Sequence, residues 1–158
     1  MLKQRSPKQS SHEPVSILLV GNNPIEMSRT LDLVKKLPGR RVVTEIAFDL
    51  ASVLQRLISF RPSLILIDDN IGVSQVGQTV RNLSNDPKTR DVPIAILKNN
   101  NYSSSLVINE PADYVLKHNL TPESIYTIFK NAIRLKQARI YFAMAYKKRK
   151  RQLLRLID

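Results

Sequence analysis

The chain reads as an α/β protein: a doubly wound, five-stranded parallel sheet followed by a long basic helix at the carboxyl end. Short apolar runs recur along it, bounded by turn residues and separated by helical periodicities. The runs are apolar throughout rather than alternating, as strands covered on both faces are. From Glu123 to Asp158 there is no Gly or Pro, and the stretch consists mostly of good helix formers.

The elements follow in order. "VSILLV", Val15 to Val20, is the first strand, running into Gly21-Asn22-Asn23 and a proline. Met27, Leu31 and Val34 recur at helical spacing, and Leu37-Pro38-Gly39 stops that helix. "RVVTEIAF" is the second strand. Asp49 caps a helix whose apolar face is Leu50, Val53, Leu54, Leu57 and Ile58, ended by Pro62. "SLILID" is a third strand that ends in acid, and Ser74 caps a helix through Val76, Val80 and Leu83. "VPIAIL" is the fourth strand. A soft loop, "KNNNYSSS", with a weak helix behind it leads to the fifth, "DYVL". Thr121-Pro122-Glu123 then opens the last helix with a cap, a proline at the first helical position and an acid in the first turn. Alternating strands and helices with right-handed crossovers make a flavodoxin-like topology the natural solution.

Composition narrows the function. A chain of 158 residues suits one domain. It has no cysteine and only His12 and His118 as histidines, which excludes disulfides and Cys-based zinc sites. There is no signal-peptide-like start and no apolar run long enough to span a membrane, so a cytoplasmic location is expected. The net charge of +12 is concentrated. Residues 1–14, read as a disordered basic arm, carry +2, and residues 15–133 also carry +2. Residues 134–158 hold nine cations and only Asp158, giving +8.

In a doubly wound sheet the carboxyl ends of the strands gather where ligands bind. Here those ends are Gly21-Asn22-Asn23, Asp68-Asp69-Asn70, Lys98-Asn99 and Lys117. Asp68 and Lys117 stand out because each continues an apolar run with no turn residue between. With these residues in place, residues 15–134 resemble the receiver domain of two-component response regulators. "ILLVGNNP" resembles the family's first strand, "RPSLILIDDNIG" its phospho-acceptor strand, "DVPIAILK" its fourth and "ADYVLK" its fifth. The resemblance implies Asp68 as phospho-acceptor, Lys117 as the family's lysine and Tyr114 as the switch aromatic.

The departures matter as much. The family's first strand ends in two acids that, with the acceptor aspartate, hold Mg²⁺. This chain has Gly21 and Asn22 there. An amide can ligate Mg²⁺ but brings no charge, so binding at Asp68, helped by Asp69, is expected to be weak or absent. The hydroxyl residue of the fourth strand is Lys98, which either pairs with Asp68, as Lys117 could, or points to solvent. His118 replaces the proline after the family's lysine and is read as a solvent-facing loop residue. Ile71-Gly72 replaces a methionine-proline pair. Asp68 and Asp69, as neighbours on a strand, are expected to face opposite ways and not to work as an acid/base pair.

Leu135, Ala138, Phe142 and Ala145 recur with coiled-coil-like spacing in the tail, which implies self-association through the last helix or a fold back onto the domain. Lys147, Lys148, Arg149, Lys150 and Arg151 surround the helix axis. They suit phosphate-backbone or acidic-surface binding, or simply a solvated helix end, with a membrane surface a weaker third option. The expected function is a stand-alone, atypical receiver acting in phosphorelay-type signalling through protein–protein contacts, with a histidine kinase or downstream effector as partner. The alternative is a nucleic-acid-binding regulator gripping through the basic helix. No phosphate-binding glycine loop or nucleophile–base pair supports an enzyme, and no cofactor beyond weak Mg²⁺ is expected.

Overall fold

The structure is a computed structural model that describes residues 14–99 and 112–157. The strands are β1 (Val15–Val20), β2 (Val42–Ala47), β3 (Leu64–Asp68), β4 (Ile94–Lys98) and β5 (Asp113–Leu116). All are parallel, in the order β2-β1-β3-β4-β5. The helices are α1 (Pro24–Lys35), α2 (Leu50–Arg56), α3 (Val73–Asn85) and α4 (Pro122–Ile157). The predicted doubly wound sheet and extended helix are both present. The amino-terminal arm and the soft loop after Lys98, with the weak helix behind it, lie outside the described residues.

Strand alternation divides the core. Ile17, Leu19, Leu64, Leu66 and Leu97 point to one face, where they pack against Met27 and Val34 of α1 and Ile125 and Phe129 of α4. Leu18, Val20, Ile65, Ile67 and Ile96 point to the other, against Val53 of α2 and Val76, Val80 and Leu83 of α3. Every residue of β3 is buried, which explains why its sequence shows no polar alternation.

Two helices differ from the sequence expectation. The α2 ladder buries only Val53, with Leu57 packed beside it, while Ile58 is 81% exposed. A seven-residue helix makes only about two turns, so one position per turn can reach the sheet and the rest of the ladder faces water. Its Asp49 cap is present as a capping box with Ser52. In α3, Ser74 is not the cap. The helix starts at Val73 after Gly72, whose φ of 98° turns the chain and whose carbonyl accepts the Val76 N–H at 2.9 Å. Only glycine adopts that backbone conformation without cost.

Candidate functional site

Register brings the site residues to one edge. Val20 lies opposite Ile67, and Asp68 opposite Leu97. The first residue beyond β1 therefore stands abreast of the last residue of β3. That first residue is Gly21, and a Cβ built on it would lie 3.2 Å from the Asp68 Cβ and 3.2 Å from the Met27 Cγ and Sδ. A side chain at this position would need Asp68 or Met27 to give way.

Asp68 is 2% exposed and lies at the centre. Its Oδ1 accepts the Asn70 N–H at 2.9 Å and lies 2.7 Å from the Lys117 ammonium. Lys117 reaches it from the turn after β5, where Leu116 is in register with Lys98. Of the two lysine partners considered for Asp68, Lys117 is the one that pairs. Lys98 neither pairs with Asp68 nor points freely to solvent: its Nζ stands 4.4 Å above the ring of Tyr114, a cation–π contact between neighbouring strands.

Asp69 departs from the strand argument. β3 ends at Asp68, and a 3₁₀ turn over Asp69–Ile71 begins at once, so the two carboxylates do not alternate across a sheet. Asp69 Oδ1 lies 3.6 Å from the same ammonium, buried and without a hydrogen bond, while Oδ2 accepts the Asn99 N–H at 3.3 Å.

Glu26 has no place in the sequence-level reading of the site, yet it is the third carboxylate. Its Oε2 lies 2.7 Å from Lys117 Nζ and accepts a hydrogen bond from the Asn70 side-chain amide. It stands at the third position of α1, where Asn23 caps the helix by accepting the Ile25 and Glu26 N–H groups. An acid three residues after a cap normally reads as a helix-start signal. That reading hides a side chain aimed across to the turn after β5.

The amides join the turns around this cluster. Asn22 donates through Nδ2 to the Asn70 carbonyl at 3.3 Å, and Asn99 donates through Nδ2 to Asn70 Oδ1 at 2.9 Å. Asn22 thus presents a donor, not an acceptor, towards the Asp68 turn. His118 is exposed, as expected.

The charges shift one another. Burial pushes the Asp68 carboxyl above its ordinary value, against the opposing pull of Lys117 and the Asn70 N–H. The bond to Lys117 holds Glu26 below its ordinary value. Burial disfavours the charged ammonium of Lys117, but its bonds to Asp68 and Glu26 outweigh that and raise it. Lys117 is therefore a fixed internal cation shared by three acids. Among the described residues, no three acids or histidines are grouped to hold a metal ion. The point on which these carboxylates converge is taken by Nζ.

Beyond the domain, α4 runs unbroken to Ile157, and every residue from Arg134 to Ile157 is exposed. It does not fold back on the domain. Lys147 to Arg151 stand around the helix in water, as the sequence implied. No described helix is long and apolar enough to cross a membrane.

No protein-family model matches the sequence, and no curated protein does either. Solved structures do match in fold. The receiver domain of a sensor histidine kinase from Pseudomonas aeruginosa, solved with a magnesium ion in its active-site cleft, aligns with a TM-score of 0.63 at 21% identity, over 76% of this chain and 98% of that one. A response regulator from Chloroflexus aurantiacus aligns at 0.61 and 20% identity, over 77% and 99%. A fusion carrying the trimeric coiled coil of yeast Spc42 aligns at 0.62 and 21% identity, over 91% and 95%. The chain has the fold of the response-regulator receiver domain.

Proposed function

We propose that this chain is an atypical receiver that acts in two-component, phosphorelay-type signalling through protein–protein contacts, with phosphorylation at Asp68 weak or absent. One observation carries the reading. The Lys117 ammonium stands 2.7 Å from both Asp68 and Glu26, where a transferred phosphoryl group would need charge stabilisation from a divalent ion. Gly21 and Asn22 add no acid, and Glu26 is engaged by Lys117 and Asn70. The donor set is poorly suited to Mg²⁺, so weak binding at Asp68 is the most it offers. Lys98 over Tyr114 ties the aromatic to the fourth strand rather than leaving a hydroxyl there. The output surface is then α4 rather than a phosphate-driven rearrangement, and its partner is a kinase or effector in the same cytoplasmic pathway.

Amide NMR with Mg²⁺, then beryllofluoride, tests this. Silence around Asp68, Tyr114 and Lys117 at millimolar Mg²⁺ is expected. Selective shifts there would overturn the weak-phosphorylation reading. Asn22→Asp, which returns one acid next to the Asp68 turn, is expected to strengthen any Mg²⁺ response.

A second reading, nucleic-acid binding, is favoured by the cations of 147–151 standing on all sides of an exposed helix. It predicts binding to a random DNA duplex that weakens steeply with salt and is lost on deletion of residues 147–158. It leaves the apolar residues of the same helix uncovered, and so ranks second.

A further inference from the structure

The exposed part of α4 carries an apolar line that neither the receiver fold nor a phosphate-binding role uses. Leu135, Phe142, Tyr146 and Leu153 are spaced seven, four and seven residues apart. At 100° per residue they fall within about 40° of one another, along about 27 Å of helix. Each is more than half exposed. Around Phe142 the segment Ile140 to Tyr146 is apolar on every side, a pattern that belongs to enclosed helices. The cations at 147–151 follow directly, and α4 has no acid after Glu123 among the described residues.

We infer that this segment docks as a helix into an open apolar groove, rimmed by carboxylates, on a second protein. This deepens the protein-contact part of the proposed function, and the charges choose the occupant. In a pair of identical helices sharing this line, Arg139, Arg149 and Lys150 beside it would face their own copies with no acid to offset them. A nucleic acid would take the cations and leave Phe142 and Leu153 in water. A bilayer surface needs one apolar and one polar side, but the apolar residues of Ile140 to Tyr146 surround the helix instead of lying on one side of it. A groove with acidic rims satisfies both the apolar line and the cations of 147–151, with anchors one or two turns apart as in helix-in-groove recognition.

The chain contains no tryptophan, so Phe142→Trp places a lone emitter on the line in the full-length protein. The probe is calcium-loaded calmodulin, an acidic protein with an open methionine-rich groove. The expected result is a saturable blue shift at micromolar probe, lost when calcium is removed. Leu153→Glu in the same background should weaken binding roughly tenfold or more, the scale of one buried leucine. Tyr146→Trp repeats the measurement should Phe142→Trp alter the fold by circular dichroism. Absence of a shift with both emitters overturns the inference. So does a shift that depends only on the chain's own concentration, which indicates a second copy. A shift only with phosphatidylserine-containing vesicles or only with duplex DNA overturns it as well. None of these outcomes bears on the Mg²⁺ response of the Asp68 pocket, so the two readings fail separately.

Discussion

The two ends of this molecule treat charge in opposite ways. At the carboxyl edge of the sheet, the Lys117 ammonium has three carboxylates within 4 Å, and amides from three turns tie the surrounding groups together. Along α4 beyond Arg134, eight further cations stand in water, and among the described residues none enters an ion pair. The edge offsets its charges internally; that stretch of helix, among the described residues, offers its cations no acid. A likeness in fold to phosphate-switched domains therefore says less about output here than the placement of uncompensated charge.

Substitutions sharpen the contrast. The largest effect is expected from Lys117→Met, which leaves Asp68 buried beside Glu26 and Asp69 with no cation. Loss of one partner from a buried pair costs about 3–5 kcal/mol, read as a fall in the urea midpoint. Asp68→Asn added to it should recover much of that loss, and failure to do so would mean the pair is not coupled. Next is Gly21→Ala, whose Cβ would press on Asp68 and Met27. Overpacking of this kind costs about 1–3 kcal/mol, and an unchanged midpoint would show that Met27 simply moves aside.

Glu26→Gln is expected to cost roughly 1 kcal/mol, discounted because the carboxylate is partly exposed. Its pH dependence is the sharper test. The Glu26 carboxyl is held below 4.5 in the folded chain, so its contribution is present above pH 4.5 and fades as pH falls through the lowered value. The difference in stability between the wild type and Glu26→Gln should close in acid. Asp68 runs the other way: its raised carboxyl keeps its proton longer when folded, so its contribution declines as pH climbs above 3.8. The smallest effect belongs to the other region. Phe142→Asp should leave the unfolding free energy within about 0.5 kcal/mol of the wild type, because the ring is exposed and, among the described residues, pairs only with its neighbour Tyr141.

How much was legible in the sequence follows from the range of the forces involved. β1 and β3 are readable because a buried parallel strand is apolar along its whole length; β5, which is only half-buried, shows instead as a short run between turn residues. Asp68 and Lys117 were readable because a charge that continues such a run has no local explanation. Glu26 was not, since an acid in a first helical turn already has one in the capping of α1. Asp69 was misjudged because the period of two that governs a strand stops where β3 stops. The Lys98–Tyr114 contact runs diagonally between neighbouring strands, since Lys98 is in register with Leu116 and Tyr114 with Ile96, a pairing made across sequence rather than along it. The apolar line on α4 is partly visible as a repeat, but only its exposure over the full length shows that none of the described residues covers it.

The unbroken course of α4 also has a mechanical meaning. Its base is clamped into the core by Ile125 and Phe129, and no glycine or proline follows to absorb bending. From Phe129 to Ile157 the helix is a rod about 42 Å long, so a tilt of about 10° at the base would sweep the tip through about 7 Å. Repacking within the core that is too slight to alter the sheet would be magnified at the far end, and the domain would work as the short arm of a lever.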